Sequence, residues 1–150
     1  MKLASKEKCT GCMACVDKCP GRCISMVADH MGNFYPQIEE ADCRHCGICQ
    51  RVCPELTIFS AVRPFDAYAA WSLNDLDRKT SASGGAASVF YRYALNMGYW
   101  IAGVKYMKDF HVVHSLSNQK EIVSSFKQSK YVYSESSGIY QSVQERLATG

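Results

Sequence analysis

Apolar positions along the chain fall into short runs whose spacing predicts the elements. Ile24–Ala28 and Phe34–Ile38 have the length and composition of short strands, and the Asp29-His30-Met31-Gly32-Asn33 turn between them predicts a hairpin. Residues 68–71 and 131–133 are further strand candidates. Residues 87–95 repeat apolar side chains at helical spacing, with Gly98 placed to stop the helix. Residues 100–104 form an apolar run suited to a buried strand, and residues 111–116 form another. Ser117-Asn118 turns the chain, residues 121–126 are expected to be helical, and residues 139–148 predict a last helix with Gly150 as its C-cap. Residues 74–79 are polar and carry no predicted element. Pro64 marks a join, and beyond it the alternation of strand and helix predicts an α/β layer arrangement.

The cysteines sharpen that division. All nine lie between Cys9 and Cys53, and the 97 residues that follow contain none. A module of about 60 residues buries too little apolar surface to hold itself together, so a covalent or metallic element is expected. The first residues, Met1-Lys2-Leu3-Ala4-Ser5-Lys6-Glu7-Lys8, are charged and have no apolar signal core, and no stretch has the length of a membrane span. A reducing cytoplasm is therefore expected, where metal ligation outweighs disulfide formation.

Two segments carry the chemistry: Cys9-Thr-Gly-Cys12-Met-Ala-Cys15-Val-Asp-Lys-Cys19-Pro20 and Cys43-Arg-His-Cys46-Gly-Ile-Cys49-Gln-Arg-Val-Cys53-Pro54. Each is C-x2-C-x2-C-x3-C-P, and they repeat at an offset of 34 residues, with Ile24 falling on Ile58 and Cys23 on Thr57. Three thiolates with two residues between each pair wrap one face of a cubane cluster. A short helical turn then carries the fourth cysteine to the other cluster, so ligation crosses between the runs. The expected sets are Cys9, Cys12, Cys15 and Cys53 for one [4Fe–4S] cluster, and Cys43, Cys46, Cys49 and Cys19 for the other. Structural zinc prefers C-x2-C pairs across a longer loop, and disulfides need paired geometry that this spacing does not offer. Cys23 is expected to pack against a cluster, a spare ligand or redox-active thiol being the alternative; His45 is expected to be exposed or to stand behind the ligands.

Charge changes the picture once the metal is included. Residues 1–60 hold seven Lys/Arg and seven Asp/Glu. Eight thiolates around two cores of charge +2 would take this module to about −4, beside a basic second part. The basic residues are scattered, so no nucleic-acid stripe is expected.

Residues 1–60 resemble the bacterial dicluster ferredoxins. A second resemblance rests on Arg78-Lys-Thr-Ser-Ala-Ser-Gly-Gly85, the helix after it, residues 98–104 and Phe126-Lys-Gln-Ser-Lys-Tyr-Val132. These segments look like the beta subunit of coenzyme F-420 hydrogenase/dehydrogenase, with Gln128 where a glycine is common. The resemblance implies flavin adenine dinucleotide (FAD), with Ser81, Ser83, Gly84, Gly85, Lys130 and Tyr131 as flavin contacts. The Ser/Gly turn ahead of a helix has the chemistry of a phosphate cradle or of a plain N-cap. Relatives of that kind continue through a further strand and domain, so the expectation is a truncated second domain with an incomplete FAD site.

The fold class expected is α+β: a dicluster ferredoxin-like module over residues 1–60, then a partial α/β domain over residues 61–150. The function expected is iron–sulfur electron transfer that feeds or drains a flavin-dependent oxidoreductase. Its partner would be a redox protein or the missing C-terminal flavin domain. The alternatives are a non-catalytic ferredoxin carrier with a partner-docking domain, and a structural zinc protein.

Overall fold

The computed structural model describes residues 3–57 and 62–149. Within them the elements run α1 (Ala14–Asp17), β1 (Ile24–Ala28), β2 (Phe34–Ile38), α2 (Ile48–Arg51), α3 (Asp75–Thr80), α4 (Ala86–Asn96), β3 (Ile101–Tyr106), β4 (Val112–Ser117), α5 (Ile122–Phe126) and α6 (Ile139–Thr149). Helices and two small antiparallel sheets make this an α+β arrangement. The chain divides into two units, Met1–Val62 with Ser136–Gly150, and Arg63–Glu135. Ile58 and Gly150 lie outside the described residues, as do the expectations placed on them.

In the first unit the sequence repeat is a backbone repeat. α1 and α2 are single turns, each entered through a left-handed residue, Met13 at φ 63° and Gly47 at φ 74°. Two residues earlier, Gly11 and His45 are left-handed as well. The hydrogen bonds match at the same offset: Val16 N to Met13 O with Gln50 N to Gly47 O, and Cys19 N to Val16 O with Cys53 N to Gln50 O. Each run has a glycine at only one of its two left-handed positions. Met13 and His45 therefore each carry a backbone cost of about 1 kcal/mol.

β1 and β2 pair antiparallel from Ile24 opposite Ile38 to Ala28 opposite Phe34. The connecting turn forms because an Asp29 carboxylate oxygen accepts from the N–H groups of Met31 and Asn33, both at 2.9 Å. Cys23, Ile24 and Cys49 are buried, with Leu3, Val16 and Ile38 packed on them, so much of this core is sulfur.

The second unit has an ordinary apolar core of Leu95, Ile101, Val123 and Phe126, with Tyr91 edge-on to Phe126 at 5.7 Å between ring centroids. Gly103 in β3 is required there, since a Cβ would fall 2.3 Å from the Phe126 ring. α4 ends as its spacing predicts: Gly98, at φ 83°, donates to Leu95 O, and Tyr99 N donates to Ala94 O. α3 falls in the polar stretch given no element above. Asn74 caps it by accepting from Asp77 N at 3.0 Å.

Asp77, 4 % exposed, joins the helices of this unit. Its carboxylate pairs with Arg92 of α4 and accepts from Lys127 Nζ at 2.8 Å just after α5.

The expected α/β layering is corrected here. Residues 68–71 and 131–133 are not strands. β3 and β4 are joined by residues 107–111, closed by Met107 N to His111 O, which is too short for the crossover a parallel pair needs. They form an antiparallel hairpin, and the parallel pairing described is a single bridge, Val113 to Glu135.

Candidate metal centre

Because α1 and α2 point each fourth cysteine away from the three before it, the runs interleave. One cavity is lined by Cys9, Cys12, Cys15 and Cys53, with Leu3, Met26 and Pro36 among its apolar walls. A second is lined by Cys43, Cys46, Cys49 and Cys19, together with Cys23, Ile24 and Ile38. Each thus holds three cysteines of one run and the last cysteine of the other. The left-handed residues at 11, 13, 45 and 47 stand at matching places on either side of Cys12 and Cys46.

Electrostatics favours a multivalent cation in both cavities. Burial pushes the Cys15 thiol up to about 11, and the Cys12 and Cys9 sulfurs add to the push. Burial likewise raises Cys49, with Cys19 and Cys43 contributing. Thiols crowded in apolar surroundings resist becoming thiolates together, and a cationic core removes that repulsion. All four donors of each cavity are soft sulfur, which suits iron–sulfur cores. The residues therefore fit the clusters expected from sequence.

Cys19 differs from the others. Burial works against its thiolate, but the N–H groups of Cys23, Gly21 and Arg22 and the Cys23 thiol together lower its pKa. The two sulfurs lie 3.4 Å apart. The Cys19 contact, reinforced by burial, raises the Cys23 pKa to about 11, and Cys23 is buried against the second cavity. Thr57, its counterpart in the repeat, turns its hydroxyl to the Cys53 carbonyl oxygen at 2.9 Å instead. His45 is exposed, 3.8 Å from Glu40.

The residues singled out for a flavin are only partly together. Ser81, Ser83, Gly84 and Gly85 line a cavity of about 310 Å³ with the first turn of α4, Tyr91, Phe126 and Lys127. Ser81 Oγ is buried there without a hydrogen-bond partner. The glycines also have structural reasons: a Cβ on Gly84 would fall 2.9 Å from Ala70 O, and Gly85 enters α4 at φ 79°. Lys130 and Tyr131 do not line this cavity. Lys130 Nζ is bound to the carbonyl oxygens of Ser125, Lys127 and Gln128 at the end of α5, and burial lowers its pKa. Tyr131 is 91 % exposed. The cation that reaches the cavity is Lys127, which a reading of the Ser-Lys-Tyr segment passed over.

Sequence reasoning also missed Ser136 and Tyr140, which approach the first cysteine loop. Ser136 Oγ donates to Cys12 O at 2.7 Å, and the Tyr140 hydroxyl is raised by burial and by the charge and hydrogen bonding of Cys12. No local signal marks residues that meet across more than a hundred positions.

Among the described residues no helix is long and apolar enough to cross a membrane. A family model described as a 4Fe-4S dicluster domain matches residues 8–56. A ferredoxin of Methanocaldococcus jannaschii is 33 % identical over 60 residues, which cover 40 % of this chain and 77 % of that protein. Subunit I 2 of the NADH-quinone oxidoreductase of Geobacter metallireducens is 40 % identical over 55 residues, 33 % of this chain and 42 % of the subunit. A polyferredoxin-like protein of M. jannaschii is 27 % identical over 71 residues, 42 % of this chain and 42 % of that protein. The chain thus spans less than half the length of these last two.

Proposed function

Since the chain belongs, through residues 8–56, to the 4Fe–4S dicluster ferredoxins, we propose that it relays single electrons through two clusters to and from a flavin-dependent partner. One cluster is held by Cys9, Cys12, Cys15 and Cys53, the other by Cys43, Cys46, Cys49 and Cys19. The observation that carries this is the interleaving of the runs, which leaves each cavity with three cysteines of one run and the last of the other, Cys23 adding a fifth sulfur to the second. When bound, the clusters supply one-electron chemistry at low potential. The chain's residues hold the thiolates, turn backbone N–H groups toward them, and exclude water with Leu3, Met26, Pro36, Ile24 and Ile38. The partner is a flavoenzyme of the coenzyme F-420 hydrogenase/dehydrogenase beta subunit type, in which a flavin converts single electrons to hydride chemistry. The buried Ser81 hydroxyl and the first turn of α4 support a flavin contact in the second unit.

Anaerobic reconstitution should give about eight iron and eight sulfide per chain. Cys19→Ala should damage the cluster on Cys43, Cys46 and Cys49. Damage confined to the cluster on Cys9, Cys12 and Cys15 would refute the crossed ligation. A second reading, a carrier whose second unit only docks a partner, is favoured by the placement of Lys130 and Tyr131 outside the Ser81 cavity. Titration of the chain with FAD, followed by flavin fluorescence, separates the two. Saturable quenching that Ser81→Ala weakens supports the flavin contact; no quenching, with clusters that still reduce an added flavoprotein, supports the carrier.

A further inference from the structure

The two cysteine loops share a backbone but satisfy it differently, and the difference leads to the far end of the chain. In the second loop the Cys46 carbonyl accepts from Arg51 Nη1 at 3.3 Å, a donor supplied within the same run. The residue equivalent to Arg51 in the first run is Asp17, which has no proton to give. The equivalent carbonyl, that of Cys12, accepts instead from Ser136 Oγ at 2.7 Å, and Ser136 is 5 % exposed.

Asp17 is what brings Ser136 there. Its two carboxylate oxygens accept from Gly138 N at 2.7 Å and Tyr140 N at 3.1 Å, two of the donors that the start of α6 would otherwise leave unpaired. A carboxylate at this end of a helix is also favoured by the helix dipole. With α6 seated by Asp17, Ser136, three residues ahead of the helix, reaches the Cys12 carbonyl.

We infer that the segment from Ser136 through α6 is a working part of the first cluster's site. Asp17 docks it, and Ser136 takes the place that Arg51 holds in the second loop. This makes two repeat-related clusters inequivalent, and it places a positioning residue of the first one outside the ferredoxin motif. Asp17 and Ser136 are positioning residues, since neither of them carries the electron. The inference rests on the two-cluster reading above.

The test uses the full, reconstituted chain and its Ser136→Ala, Asp17→Ala and Asp17→Arg variants. Chelator removal of iron is followed by paramagnetic NMR, in which the β-protons of Cys12 and Cys46 report the two clusters separately. Ser136→Ala should speed iron loss from the first cluster only. Asp17→Arg should release α6, seen as lost amide-exchange protection over residues 138–148. Its new guanidinium should nevertheless keep the Cys12 carbonyl bonded, so that iron is retained better than in the Asp17→Ala chain. Ser136→Ala iron loss that is equal at both clusters, or unchanged from wild type, in chains first loaded with full iron would overturn the inference alone. A wild-type chain that takes up no iron would overturn the cluster reading on which it rests.

Discussion

The two units keep their shape by different means. In Met1–Val62 with Ser136–Gly150, the buried set is Met13, Ala14, Cys23, Ile24 and Cys49, with more cysteines packed around it. In Arg63–Glu135 the buried apolar residues are Leu95, Ile101, Val112, Val123 and Phe126, braced by the buried Asp77 carboxylate between Arg92 and Lys127. One interior is held by ligand geometry, the other by apolar contact and an ion-paired junction. Stability in the first should therefore follow metal occupancy, and in the second it should follow side-chain fit.

Removal of iron should separate them most. Small modules held by metal couple binding to folding, so chelated protein should lose amide-exchange protection across residues 9–53 while residues 86–126 keep theirs. Equal protection in both units after chelation would dissolve the distinction. Next in size is Asp77→Ala, which leaves Arg92 and Lys127 facing each other with no anion, a loss of about 3–5 kcal/mol. Chemical denaturation should show it in the second unit, with the cluster absorbance unchanged at low denaturant. Gly103→Ala should cost about 1–3 kcal/mol by driving a methyl into the Phe126 ring. Thermal melts followed by near-ultraviolet circular dichroism would register that loss. Smallest is Met13→Gly or His45→Gly, which relieves a left-handed side-chain residue. Each should slow cluster loss by an amount corresponding to about 1 kcal/mol or less, and the second unit should not respond. A faster loss would mean that the Met13 side chain, or that of His45, contributes more by packing than its backbone costs.

The contrast also accounts for what could be read from the sequence. The cysteine runs, the Ile24–Ala28 and Phe34–Ile38 strands and the turn at Asp29 were all legible, because each depends on residues close in sequence. The helices α4, α5 and α6 were legible from apolar spacing. α3 was not, although Asn74 followed by Asp75 and Asp77, with Arg78 and Lys79 at the far end, is a capped helix in charge pattern. Its outward side is polar apart from the exposed Leu76, and its one buried group is a carboxylate whose partners lie 15 and 50 residues away. The strand expected at 131–133 failed for a related reason: alternating tyrosines have strand propensity, but the bridge to β4 is made at Glu135, opposite Val113, beyond the tyrosines. Around the site, Lys130 looked available because its sequence neighbours suggested a loop cation. Only the fold turns its ammonium onto the end of α5 and brings Lys127 forward.

The interleaving of the two cysteine runs has a consequence for synthesis of the chain. As the protein leaves the ribosome, Cys9, Cys12 and Cys15 appear early, but the cysteine that completes their cavity is Cys53. Cys19 appears with the early group and waits for Cys43, Cys46 and Cys49. With the crossed ligation proposed above, neither site is complete before the other run exists. For the interval in which the hairpin and second run are made, the four cysteines of the first run have no set to join. Insertion of either cluster would then wait for translation past residue 53.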